Sequence, residues 1–203
     1  MLTTMMSTKS STTQSTLLRD LFTGADGTNL TAHTMDVGPG WTQLNGAWTI
    51  QGNRARPPAA TANSFDTSDS GKANVTATLD VVIAASPPIL YSGIVLRSTD
   101  ASNGWFGLIA CDDNVNYRLD LDDFIAGVIT TRATVPFVSS PSGLTIGLTM
   151  VSSGNTITLT ASTGETCQYT SASFNATATK HGVYGYTAAS YIATDVDNFL
   201  VIG

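Results

Sequence analysis

The side chains best suited to acid–base chemistry are aspartates crowded into one span: Asp112, Asp113, Asp120, Asp122 and Asp123. In "NYRLDLDDF" Asp120 and Asp122 are two residues apart. An extended strand puts such a pair on one face, about 7 Å apart. Sugar hydrolysis uses two carboxyls at about 5–9 Å, one as acid and one as nucleophile or base. However, Glu165, in the turn "STGETCQ", is the only glutamate, and no E-x-D-x-E pattern occurs. The pair therefore reads as a solvated face beside Arg118, and no catalytic residue is assigned.

Other chemistries find less support. His33 and His181 sit in unrelated contexts, with no Ser or Cys motif beside either, so neither a triad nor a zinc site is expected. Calcium wants about six to eight oxygens. "CDDN" offers Asp112, Asp113 and Asn114, and "DTSDSG" offers Asp66 and Asp69, but neither has the spacing of an EF-hand loop. Asx turns are the expected use of these acids. Calcium at Asp112, Asp113 and Asn114 is the one cofactor worth carrying forward. A polar ligand such as a sugar needs an aromatic face with Asp, Asn or Arg beside it. "STDASNGWF" supplies Asp100, Asn103 and Trp105, and Tyr117 follows; Tyr91, Tyr184, Tyr186 and Tyr191 add further rings.

Charge narrows the partners. The formal net charge is −6, charged residues make up only 12%, and the nine basic residues are scattered. Nucleic-acid binding needs clustered Lys and Arg, so it is not expected. No apolar run reaches the roughly 18 residues that a membrane helix requires. The start, "MLTTMMSTKSSTTQSTLLRDLF", lacks the apolar core of a signal peptide, which points to synthesis in a cytoplasm. Cys111 and Cys167 are too few for a disulfide framework and read as buried thiols.

The elements that must position these residues are strands. "ANVTATLDVVI" puts Val75, Ala77, Leu79, Val81 and Ile83 on one face. "LTIGLTMV" does the same for Leu144, Ile146, Leu148 and Met150, and "NTITLTA" for Ile157 and Leu159. This period of two marks half-buried antiparallel strands. "MVSSGNTI" reads as a hairpin, and "DVDNFLVIG" as a closing strand whose neighbour is "LLRDLF" near the start. "TQSTLLRDLF" also puts Leu17, Leu18, Leu21 and Phe22 on one helical face, so a short helix is the competing expectation there. Gly and Pro turns separate roughly a dozen strands, as in a sandwich or jelly roll. Residues 1–16 are a Ser/Thr-rich stretch that cannot bury enough apolar surface to fold alone.

"LFTGADGTNLTAHTMDVGPGW", "GAWTIQGNRA", "SGIVLRSTDASNGWFGLI" and "VDNFLVIG" together resemble the concanavalin A-like jelly rolls of the laminin-G and glucanase superfamily. The resemblance is strongest to modules of bacterial surface proteins and phage structural proteins. It implies an all-β fold: a two-sheet antiparallel jelly-roll β-sandwich over residues 17–203, preceded by a short non-globular arm over 1–16. In the resembling modules Arg97 and Asn103 fall in a recurrent "LR-x-TD-x-x-NG" strand–turn, which implies a structural role. With no catalytic set, the expected function is a structural or attachment module, such as a phage head-decoration or fibre-associated protein. Met1, Leu2, Met5 and Met6 would anchor its arm on other proteins of the assembly. The alternative is a lectin-like, glycan-binding module of a cell-surface or secreted protein. Self-association fits either.

Overall fold

The computed structural model describes residues 14–59, 62–85, 89–113, 115–187 and 194–203. Met1, Leu2, Met5 and Met6 of the arm, Asn114 of the calcium candidates, and Tyr191 lie outside the described residues.

Two antiparallel sheets pack face to face. The first contains β1 (Thr16–Asp20), β3 (Thr49–Ile50), β4 (Ala55–Arg56), β6 (Thr76–Val82), β11 (Thr145–Ser153), β12 (Thr156–Ala161), β13 (Thr166–Tyr169) and β15 (Asp195–Ile202). Its order is β13-β12-β11-β6-β15-β4-β3, with β1 also paired to β15. The second contains β2 (Thr42–Asn45), β5 (Ala62–Asp69), β7 (Leu90–Asp100), β8 (Asn103–Cys111), β9 (Arg118–Ile125), β10 (Val128–Pro136) and β14 (Lys180–Thr187). Its order is β10-β9-β8-β7-β14-β5-β2. One 3-10 turn, Leu30–Ala32, interrupts the loop before β2. No helix among the described residues is long and apolar enough to cross a membrane.

The expected pairings form. β11 and β12 make the hairpin, with Met150 opposite Leu159 and Ser153 opposite Thr156. The start and end of the chain meet: Thr16 faces Ile202, Asp20 faces Phe199, and Ser15 exchanges backbone hydrogen bonds with Gly203. The strand won over the helix at "TLLRD" because β15 offers a ladder there, and Leu18 then points into the core.

The core between the sheets takes Leu79, Val81, Ile146, Leu148, Met150, Ile157, Leu159, Phe199 and Val201 from one side. Ile94, Leu96, Trp105, Ile109, Leu119, Leu121 and Val183 come from the other. The expectation fails at Leu144, which is 52% exposed because it sits in the turn just before β11 begins. Cys111 and Cys167 are buried and free.

A second apolar cluster lies on the opposite face of the second sheet: Phe65, Val95, Phe106, Leu108, Ala110, Phe124 and Tyr184. These alternate along their strands with the inter-sheet residues, so β7 and β8 are apolar on both faces. Arg97 holds one end of the sandwich together. It is fully buried and donates to the carbonyls of Ala73, Gly154 and Ala172 and to Asn74 Oδ1, at 3.1, 2.8, 3.4 and 2.9 Å.

Candidate functional site

The outer face of the second sheet is a grid of aligned residues. One row across the strands runs Asn63, Tyr186, Tyr91, Ala110, Arg118. The next runs Phe65, Tyr184, Gly93, Leu108, Asp120, Thr134. A third runs Gly182, Val95, Phe106, Asp122, Thr131. Aromatic rings thus stand on β14 and β7, and charged groups on β9. Small Ala110 sits between Tyr91 and Arg118 and keeps the two walls apart. The result is an open cleft of about 420 Å³, lined by Asn63, Tyr91, Tyr184 and Tyr186 on one side and Arg118, Asp120, Asp122 and Thr131 on the other.

Hydrogen bonds fix the walls. Arg118 donates from Nε to Asp120 at 2.8 Å and from Nη1 to Asp112 at 2.7 Å. Asp112 also accepts from the Tyr91 hydroxyl. Thr134 donates to the second oxygen of Asp120 at 2.6 Å. Tyr184 donates to Asn63 Oδ1 at 2.7 Å and stacks on Phe106, with ring centroids 4.4 Å apart. Tyr91 and Tyr186 meet edge to face at 5.7 Å.

Asp120 and Asp122 share a face, as their spacing requires, but they are not solvated: they are 3% and 6% exposed. The neighbouring rings and the threonines of β10 cover them. Burial pushes the Asp122 carboxyl up to about 6, with Asp120 and Asp123 adding to the rise and the Thr131 hydroxyl opposing it. Burial also works against the Arg118 guanidinium, but its contacts with Asp112 and Asp120 outweigh that and raise its pKa.

The four residues picked for sugar contact do not line this cleft. Trp105 is 1% exposed and its indole N–H donates to the Phe174 carbonyl at 2.9 Å. Tyr117 is 3% exposed, within the core. Asp100 accepts from the Ser102 N–H at 2.7 Å and from Asn103 at 2.8 Å, closing the turn between β7 and β8. Asn103 in turn accepts from the Ala126 N–H at 3.0 Å. Of the calcium candidates, Asp112 is taken by Arg118 and Tyr91. Asp113 accepts the N–H groups of Val115 and Asn116 at 3.1 and 2.8 Å. Among the described residues, no group of three or more His, Cys, Asp or Glu is placed to hold a metal ion. The sequence signals for this cleft are two pairs spaced by two, Asp120/Asp122 and Tyr184/Tyr186, each on one strand face.

No family model and no curated protein matches the chain. Solved structures do. The carbohydrate-binding module CBM66 from Bacillus subtilis aligns at 16% identity and TM-score 0.58, over 80% of this chain and 91% of that one. A CBM2 module of the evolved Dit of Lactobacillus casei BL23 phage J-1 aligns at 9% identity and TM-score 0.56, over 93% and 96%. A mutant of the GH43 protein BlXynB from Bacillus licheniformis aligns at 11% identity and TM-score 0.62, over 80% of this chain and 36% of that one. These likenesses show the fold alone, a two-sheet antiparallel jelly-roll β-sandwich.

Proposed function

We propose that the chain is a non-catalytic carbohydrate-binding module of a surface, secreted or virion-borne protein, with the sugar held in the outer cleft of the second sheet. The observation that carries this is the convergence of Tyr91, Tyr184 and Tyr186 with Asn63, Arg118, Asp120 and Asp122 in one open cleft. A sugar ring offers apolar C–H faces for aromatic rings and hydroxyls for polar side chains. The volume falls in the range of small-ligand sites, about 300–1,000 Å³. The likeness to carbohydrate-binding modules supports the reading at the level of fold. Both oxygens of Asp120 are oriented, by Arg118 and Thr134, which suits a positioned acceptor for a sugar hydroxyl.

Glycan-array screening followed by calorimetry tests it. Tyr186 is only partly buried, so Tyr186→Ala should leave the melting temperature within a few degrees. It should weaken sugar binding about tenfold, the size of one lost ring contact. Unchanged affinity, or no glycan bound by the wild type, contradicts the proposal.

A second reading concerns placement. The alignment with the phage Dit module spans nearly the whole of both chains, and supports a virion component that binds glycans on a host. Residues 1–13, with Met1, Leu2, Met5 and Met6, would then dock on a neighbouring structural protein. Ser15 and Thr16 pair with the chain end, so the deletion should stop at residue 13. The truncated protein should melt like the full chain but fail to co-sediment with the particle. Full incorporation without the arm would remove this role.

A further inference from the structure

In and beside the cleft three carboxylates, Asp112, Asp120 and Asp122, stand against one guanidinium. Arg118 is held by Asp112 and Asp120, at 2.7 and 2.8 Å. Asp122 has no ion-pair partner among the described residues. It is 6% exposed, lines the cleft, and has one carboxylate oxygen with no hydrogen-bond partner. On its own strand it is faced by Arg118, Asp120 and Asp123. From β10 come the Thr131 hydroxyl and Arg132, and Arg132 is turned onto Asp123 at 2.7 Å. From β14 comes Tyr184. No free cation is among them.

A buried carboxylate without a counter-charge is unfavourable, and its missing partner calls for an explanation. Tyr91, Tyr184 and Tyr186 line the same cleft, and aromatic faces attract cations. An uncompensated carboxylate in a cleft that also carries ring faces makes a receptor for a sugar bearing an ammonium group. We infer that the ligand of this cleft is an amino sugar with a free amine, its ammonium facing Asp122 and its ring against Tyr91 and Tyr186. This rests on the carbohydrate-binding reading. The N-acetylated sugar carries no charge to meet Asp122, and a uronic acid brings a like charge.

Calorimetry with oligosaccharides of glucosamine, N-acetylglucosamine, glucose and glucuronic acid tests the inference. The glucosamine oligomer should bind about tenfold or more tightly than its N-acetylated form, the scale of one charged hydrogen bond. Asp122→Asn should bring the affinities for the amine and N-acetyl forms to the same value, whatever it does to overall affinity. In the wild type, lowering the pH from about 7 to about 5 should erode the preference, since Asp122 takes up its proton at about 6. That pH series does not depend on how the variant folds. Equal binding of amine and N-acetyl forms, or a preference that survives Asp122→Asn, overturns the amino-sugar assignment and leaves the sugar site standing. If no oligosaccharide binds, both readings fall.

Discussion

Asp66 is the residue whose chemistry least suits its surroundings. It lies on β5 opposite Val183, facing the inter-sheet core, 1% exposed and with both carboxylate oxygens unpartnered. Burial pushes its pKa from 3.8 up to about 8. The folded protein therefore holds a proton that the unfolded chain has released, so the contribution of Asp66 to stability is full below pH 3.8 and is lost as pH rises towards about 8. Asp66→Asn should flatten that fall and stabilise the protein at neutral pH by about 1–3 kcal/mol. Urea unfolding across pH checks it; a variant that is less stable at pH 7 would mean the carboxylate is satisfied. Neither Asp66 nor Asp122 was legible as buried in the sequence. Alternation tells which residues share a face, but not what covers that face. Asp66 is covered by the other sheet, and Asp122 by outer-face rings such as Phe106 and Tyr184, all distant in the chain. Trp105 and Tyr117 are buried for the mirror reason: an aromatic beside a polar turn looks exposed until its strand is placed.

At the scale of elements, the alternating strands were legible because period two survives wherever one face is buried. β6, β11, β12 and β15 formed as read. Leu148 is 1% exposed between the sheets, and Leu148→Ala should cost about 2–5 kcal/mol. Leu144→Ala, in the turn, should change stability by less than about 0.5 kcal/mol. Denaturant melts of the two variants separate these positions; similar losses would contradict the placement of β11. The sheets approach closely here, since a Cβ at Gly107 would lie 2.8 Å from Met150 Sδ. What the pattern hid was "GWFGLIAC", apolar without a break. Such a run marks a strand covered on both faces. Phe106, Leu108 and Ala110 belong to the outer cluster, whereas Trp105, Ile109 and Cys111 belong to the core.

At the scale of the whole molecule, the sandwich presents one outer face where cross-strand register, not sequence neighbourhood, assembles a cleft. β5, β7, β9, β10 and β14 all contribute, and the residues they bring together range from Asn63 to Tyr186. A sequence scan meets these side chains far apart, whereas the β7–β8 turn brings its polar and aromatic residues together within a few positions. The most direct test is to map backbone amide shifts by NMR while titrating the sugar that binds. The account predicts shifts at Asn63, Tyr91, Arg118, Asp120, Asp122, Tyr184 and Tyr186, with the Asp100–Asn103 turn unmoved. Shifts confined to that turn, or to the outer face of the first sheet, would contradict it.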